Sequence, residues 1–263
     1  MKQYFLIIGA MKAGTSSLYH DLCQFDGVFM TPEKEPDDLA FDEVLTERGT
    51  RTYLQKFSAA RAGDICGEAS TSYSKRPMVT NVAERAVEVL GPNTKIIYIR
   101  RDPIQRIISQ YRHLWGLGLE KRPMNQAVLE DPSYVAFSRY DYQLEPWRQV
   151  IDKNNILVLD FEQYIDNQAV VLSTVAAFLG VNRPKSVELT HRNASNNKNI
   201  APRDSLLFRV MSSRGYQYGV KPLISRKLLD RLKKWILPRP AITKEILSET
   251  TLATLQARLD LTK

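Results

Sequence analysis

The sequence predicts an α/β fold: a three-layer arrangement with a central parallel sheet flanked by helices, plus a helical C-terminal tail. Three observations predict it. Short apolar runs rich in β-branched residues recur along the chain, and each has strand length. Stretches of helical periodicity separate these runs, the alternation that parallel strands joined by crossover helices require. The runs are apolar throughout rather than alternating, as expected of strands covered on both faces. A chain of 263 residues suits one such domain and buries a sizeable core without disulfides or metals.

The elements follow in order. Strands are expected over 4–8, 64–68, 95–100 and 156–161, with a shorter one at 28–30. Helices are expected over 15–24, 77–90, 103–115, 139–153 and 163–179. Pro77 opens the second helix where a first turn tolerates proline, and Gly91-Pro92 ends it. Gly180 caps the last. Beyond about residue 185 the character changes to an Asn-rich loop at 193–199, then Lys- and Arg-rich helical patterns broken at Pro238-Arg239-Pro240. This reads as a loop and helical appendage at 185–263 within a single domain over 1–263.

The net charge is +8 and the pI about 9.4. A basic surface concentrates anionic ligands; nucleic acid, anionic lipid, acidic glycan and nucleotide all stay open on charge alone. Cys23 and Cys66 form no CxxC pair and have no nearby histidine, which argues against zinc. Both read as reduced core thiols, pointing to the cytoplasm. The apolar run after Lys2 stops at Lys12 with no clean cleavage site behind it, so a buried strand explains it better than a signal peptide. No other run approaches the roughly 20 residues of a membrane span.

The strongest local signal runs from Ile7 to Leu18. An apolar strand enters a loop bearing Gly9 and Gly14, and the loop opens a helix at Thr15, Ser16 and Ser17. Backbone N–H groups and hydroxyls then point at one spot where the helix dipole adds positive charge, making an anion site. Lys12 adds a full charge beside it. The loop is P-loop-like, but a nucleotide-triphosphate loop has lysine directly after its second glycine, where this chain has Thr15. The strand at 95–100 also ends in Arg100-Arg101-Asp102 rather than in a metal-binding Asp. The loop thus suits a phosphate-like group without an obligatory metal; a plain glycine-requiring turn is the alternative.

A second anion signal spans 95–111. Arg100-Arg101 ends a strand, Asp102-Pro103 starts a helix, and Ser109 follows. Positions 102, 106 and 109 lie roughly on one helix face at 3.6 residues per turn, so Arg101 and Ser109 can converge on one phosphate.

Together these segments resemble the PAPS-dependent sulfotransferases, in particular the heparan-sulfate-type and related bacterial branch. Lys12, Gly14, Thr15 and Ser16 match the K-x-G-[ST]-[ST] core of that family's 5′-phosphosulfate loop. Arg101 and Ser109 match its 3′-phosphate motif, R-[DN]-P with a serine eight residues after the arginine. The 32–36 segment resembles its K-E-P element, 67–73 its G-E-x-[ST]-x-x-Y strand and turn, and 138–147 its G-x-Y-x-x-x-L-x-x-W helix start, with Ser138 in place of the glycine. The likeness continues through 155–162 and the V-x-x-F-L-G ending at 175–180, covering roughly 4–200 in order. There are departures: Asp37-Asp38-Leu39 stands where aromatic residues are frequent, which alters the expected acceptor side, and Ala69 stands where some glycan-modifying relatives have lysine.

The resemblance implies a sulfotransferase that moves a sulfuryl group from PAPS to an acceptor hydroxyl or amine, on a carbohydrate or small metabolite, by in-line displacement and without a metal. It implies that Lys12 stabilises the leaving phosphate, that the loop at Ala13, Gly14, Thr15 and Ser16 holds the 5′-phosphate, and that Arg101 and Ser109 hold the 3′-phosphate. It makes Glu35 the general base; read alone, Glu35 is a solvated loop charge. His113, one turn past Ser109, is the backup base. Glu68 is expected to stabilise the pocket or its loop. Asn193, Lys198 and Arg203 read either as a loop closing over the 3′-phosphate or as a solvated basic loop. Two rivals remain: a P-loop kinase, which would need Mg²⁺, and a basic anion- or nucleic-acid-binding module suggested by 226–234, although that stretch has the pattern of an ordinary amphipathic helix.

Overall fold

The structure, a computed structural model, describes residues 2–182 and 245–260. Five parallel strands form one sheet: β1 (Gln3–Gly9), β2 (Val28–Met30), β3 (Ile65–Ala69), β4 (Lys95–Arg100) and β5 (Ile156–Asp160), in the order β2-β3-β1-β4-β5. Central β1 buries Phe5, Leu6, Ile7 and Ile8 to 1% exposure or less, each worth about 1.5–3 kcal/mol. β1, β3 and most of β4 are thus covered on both faces, whereas edge strand β5 is half-buried at all its residues but Leu159.

The helices are α1 (Thr15–Leu22), α2 (Glu47–Gln55), α3 (Val82–Leu90), α4 (Pro103–Gly116), α5 (Met124–Glu130), α6 (Ser133–Ala136), α7 (Tyr140–Val150), α8 (Phe161–Asp166), α9 (Gln168–Leu179) and α10 (Glu249–Arg258). From β1 the chain winds through β2 to β3 on one side, then crosses to β4 and β5 on the other. Strand order thus reverses between β1 and β4, the place where open α/β sheets bind ligands beyond their carboxyl ends.

Several expectations need correction. Pro77 does not open a helix. The Lys75 carbonyl accepts from the amides of Met78 and Val79 at 2.9 and 3.1 Å, closing a turn there, and α3 starts only at Val82 after left-handed Asn81. The helix expected over 163–179 is two helices broken at Asn167 (φ −137°, ψ 54°). Tyr164 and Gln168 flank the break and both donate to the buried Asp21 carboxylate. Cys23 is exposed, because it falls at the solvent-facing end of α1; Cys66 is buried, and both thiols are free. The charged helix α2 was not foreseen. Thr46 caps it, its Oγ1 accepting from the Gly49 amide at 3.0 Å.

A second, smaller core joins α4 and α5 to α10: Ile107, Tyr111, Met124, Ala127, Val128 and Tyr134 pack with Leu255 and Leu259. The end of the expected appendage therefore returns to the helix that carries Ser109 and His113. The loop at 193–199, Asn193, Lys198, Arg203 and the basic stretch 226–234 lie outside the described residues. Among those described, no helix is long and apolar enough to cross a membrane.

Candidate active site

Every strand delivers a candidate residue at its carboxyl end. Lys12 follows β1, Glu35 follows β2, Thr71 follows β3, Arg101 follows β4 and Phe161 follows β5. Sheet order brings residues distant in sequence to one edge.

The loop after β1 is built by glycines. Gly9 has φ 156°, and a Cβ there would lie 2.1 Å from the Ser74 hydroxyl, which donates to the Ile8 carbonyl at 2.6 Å. Gly14 is left-handed (φ 91°), and a Cβ would lie 2.8 Å from the Phe161 ring. The loop thus packs on its neighbours where only glycine fits. Lys12 between them is also left-handed (φ 72°), a conformation that costs a non-glycine residue about 1–2 kcal/mol. The loop is tied to β4 by the Ala10 amide, which donates to the Ile99 carbonyl at 2.7 Å. The first turn of α1 starts at buried Thr15, with Ser16 exposed and Ser17 half-buried.

Arg101 bridges the two anion motifs. Its Nη1 donates to the Lys12 carbonyl at 3.4 Å, and its guanidinium lies 4.9 Å from the centre of the Phe161 ring. Tyr140 clasps the Arg101 backbone: its hydroxyl donates to the Arg101 carbonyl at 2.6 Å and accepts from the Arg101 amide at 3.4 Å. The Arg101 Nε is buried without a hydrogen-bond partner among the described residues. Ser109 lies two turns along α4, half-buried, and His113 lies in the helix's last turn, also half-buried.

Glu35 is held from three sides. Its amide donates to the Ala69 carbonyl at 2.9 Å, Lys34 pairs with Oε1, and the Thr71 hydroxyl donates to Oε2 at 2.9 Å. Its backbone is left-handed (φ 58°). Burial pushes its pKa up, but the Lys34 ammonium and the Thr71 hydroxyl outweigh burial and hold the carboxyl below its ordinary value. Glu35 is therefore ionised at neutral pH and can accept a proton.

Glu68, fully buried, anchors the loop that carries Glu35. Oε1 accepts from Tyr53 at 2.9 Å and Tyr73 at 2.6 Å, and Oε2 accepts from Ser70 at 2.7 Å. Ser70 in turn accepts from the Asp37 amide at 3.2 Å, and Tyr73 from the Leu39 amide at 3.2 Å. Burial, only partly offset by these hydrogen bonds, raises the Glu68 carboxyl to about 7.

The structure thus joins Lys12 to Arg101 by a hydrogen bond and puts Glu35 beside Thr71 at the same sheet edge. Sequence reasoning did not find Phe161, Tyr140 or Thr71 as parts of the site. For Phe161 the one available hint was a glycine at position 14 that something had to fill against.

The glycine loop after β1, Arg101 after β4 and Glu35 after β2 thus lie along the carboxyl ends of one parallel sheet. A family model described as a sulfotransferase domain matches residues 2–205; the chain belongs to the sulfotransferase family. Among its relatives, mouse heparan sulfate glucosamine 3-O-sulfotransferase 3B1 is 29% identical over 191 residues, covering 68% of this chain and 46% of that protein. Human heparan sulfate glucosamine 3-O-sulfotransferase 6 is 28% identical over 196 residues, covering 68% and 52%. The chain spans about half the length of these curated relatives. A sulfotransferase structure from Alicyclobacillus acidocaldarius superposes with a TM-score of 0.64 at 26% identity, covering 72% of this chain and 85% of that one. The sulfotransferase domain of the curacin biosynthetic pathway shares the fold over 99% of this chain and 98% of its own, with a TM-score of 0.55 at 15% identity.

Proposed function

We propose that this chain transfers a sulfuryl group from PAPS to an acceptor hydroxyl or amine, on a carbohydrate or a small metabolite. The observation that supports this reading is the hydrogen bond from Arg101 to the Lys12 carbonyl, between the loop after β1 and the end of β4, the two segments read here as anion-binding. A donor with a 5′-phosphosulfate and a separate 3′-phosphate has the two anionic groups such a pair would take. The donor supplies the sulfuryl group and a phosphate leaving group. In this reading the amides and hydroxyls of Ala13, Gly14, Thr15 and Ser16 hold the 5′-phosphate, and Lys12 stabilises the charge that grows there. Arg101 and Ser109 hold the 3′-phosphate and set the register. Glu35, already ionised, takes the acceptor's proton, with His113 as the second candidate. No residue in this scheme calls for a metal. A carbohydrate acceptor follows from the heparan sulfate sulfotransferase relatives. Two free thiols suit a reducing compartment, and we assign the chain to the cytoplasm; trapping the thiols' state in cells checks that.

The test is calorimetric titration with 3′-phosphoadenosine-5′-phosphate (PAP), AMP and ATP in the absence of Mg²⁺. The expected result is micromolar binding of PAP, well ahead of AMP and ATP. Preference for ATP that depends on Mg²⁺ would overturn the reading in favour of a kinase, an alternative that family membership does not favour.

A further inference from the structure

Among the described residues, Arg106 is a buried cation with no carboxylate paired to it. It is 0% exposed, in the middle of α4. Its Nε donates to the Ser138 hydroxyl at 2.6 Å and its Nη2 to the Tyr134 carbonyl at 2.8 Å. Its Nη1 has no hydrogen-bond partner, and no carboxylate pairs with it among the described residues. The titratable groups that face it are the ring hydroxyls of Tyr140, Tyr98 and Tyr134, all three held neutral by burial. Burial pulls the guanidinium down to about 10, still protonated at neutral pH.

Burying a cation without a counter-ion costs several kcal/mol. Arg85, 6% exposed, is by contrast paired, with Asp42 at 2.6 Å. A lone buried charge that persists needs an anion which arrives later, or a task that outweighs the cost. Position supplies both. Arg106 lies between Arg101 and Ser109 in sequence and one turn before Ser109 on the same helix. Its partner Ser138 also bonds toward the Pro103 carbonyl at 3.4 Å, joining the segment before α7 to the start of α4. Two residues on, Tyr140 clasps the backbone of Arg101. Arg106, Ser138, Tyr140 and Arg101 therefore form one closed circuit around the first turn of α4.

We propose that Arg106 is a positioning residue for the donor's 3′-phosphate: it locks the circuit that aims Arg101, and its unpaired charge adds to the pull on that phosphate from within the protein. This rests on the reading that Arg101 and Ser109 hold a 3′-phosphate. It also gives Ser138 a purpose. A glycine there would leave the Arg106 Nε without its acceptor.

The experiment compares wild type, Arg106→Gln and Arg106→Lys by calorimetry with PAP and with AMP, which lacks the 3′-phosphate, alongside thermal unfolding of the ligand-free proteins. R106Q is expected to weaken PAP about ten-fold or more while AMP changes less than about two-fold. Its ligand-free melting midpoint is expected to hold or rise, since the buried charge is gone. R106K keeps the charge and is expected to recover part of the PAP affinity. Should R106Q fail to fold, R106K carries the test, with a smaller loss confined to PAP. Equal losses for both nucleotides would mean a merely structural role and overturn the proposal, as would unchanged PAP binding in folded R106Q. A wild type that does not prefer PAP to AMP would instead remove the 3′-phosphate site itself. A wild type that does, with R106Q preferring it equally, sinks only the role of Arg106.

Discussion

Lys12 and Glu35, the two residues assigned to charge stabilisation and proton removal, both hold left-handed backbone, at φ 72° and 58°. Strain of this kind persists where surrounding structure over-determines it, and it gathers at functional sites. Lys12 is fixed by its carbonyl, which takes the Arg101 bond; Glu35 is fixed by its amide on β3. For Lys12 the expected outcome of Lys12→Ala is a drop in turnover of about 10²–10³-fold with the melting midpoint unchanged; near-normal turnover in folded protein would take Lys12 out of the mechanism. For Glu35 the pH profile is the sharper measurement. Lys34 and Thr71 together outweigh burial and depress its pKa, and a base works only when ionised. kcat/KM should therefore stay level through neutral pH and fall only as pH drops below the ordinary glutamate value of 4.5. Lys34→Met removes a depressing charge, so the acid limb should move up in pH; a limb that stays in place would show that another group sets it.

At the scale of elements, the 35–40 loop depends on β3 through Glu68. Tyr73 is the relay, donating to Glu68 and accepting from the Leu39 amide. Tyr73→Phe removes both bonds at once. It should cost about 1–3 kcal/mol of stability and lower turnover, while PAP affinity stays near wild type because the donor loop lies after β1. Equal loss of donor binding and turnover would contradict a role limited to the acceptor side. The same division marks what could be read in the sequence. The strands were legible to within a residue or so, since a strand covered on both faces is a bare apolar run. Gly14, Lys12 and Arg101 were legible because a strand-to-helix turn is local. Pro77 misled because a proline fits a turn as well as a first helical position, and only the Lys75 carbonyl decides between them. Helix α2, ERGTRTYLQ, buries only Tyr53, too little apolar periodicity to stand out. Phe161 against Gly14, Tyr140 on Arg101 and Tyr53 on Glu68 act across long stretches of chain, 39 positions for Tyr140 and 15 for Tyr53, and no local pattern encodes such contacts.

For the whole molecule, the same Glu68 should leave a mark on stability. The group lies in β3, fully buried, with three hydroxyl donors and no paired cation among the described residues. Burial lifts its pKa to about 7, from 4.5. Between these values the folded protein holds a proton on Glu68 that the unfolded chain has released. The unfolded state then binds fewer protons, so stability falls as pH rises through that window. The contribution is fully present below about 4.5 and gone above about 7, on the order of 3 kcal/mol at most. Other groups of the chain contribute to the pH dependence of stability as well, so wild type alone is ambiguous. Glu68→Gln separates them: glutamine cannot ionise, yet its carbonyl oxygen still accepts from the tyrosines. Chemical unfolding of both proteins from pH 4.5 to 7.5 should give a steeper decline for wild type, with the two curves diverging as pH rises and the variant the more stable at the upper end. Parallel curves would mean that Glu68 stays ionised across the range. In that case the three hydroxyls stabilise its charge more than burial penalises it, and the loop bearing Glu35 hangs on a carboxylate rather than on a carboxylic acid.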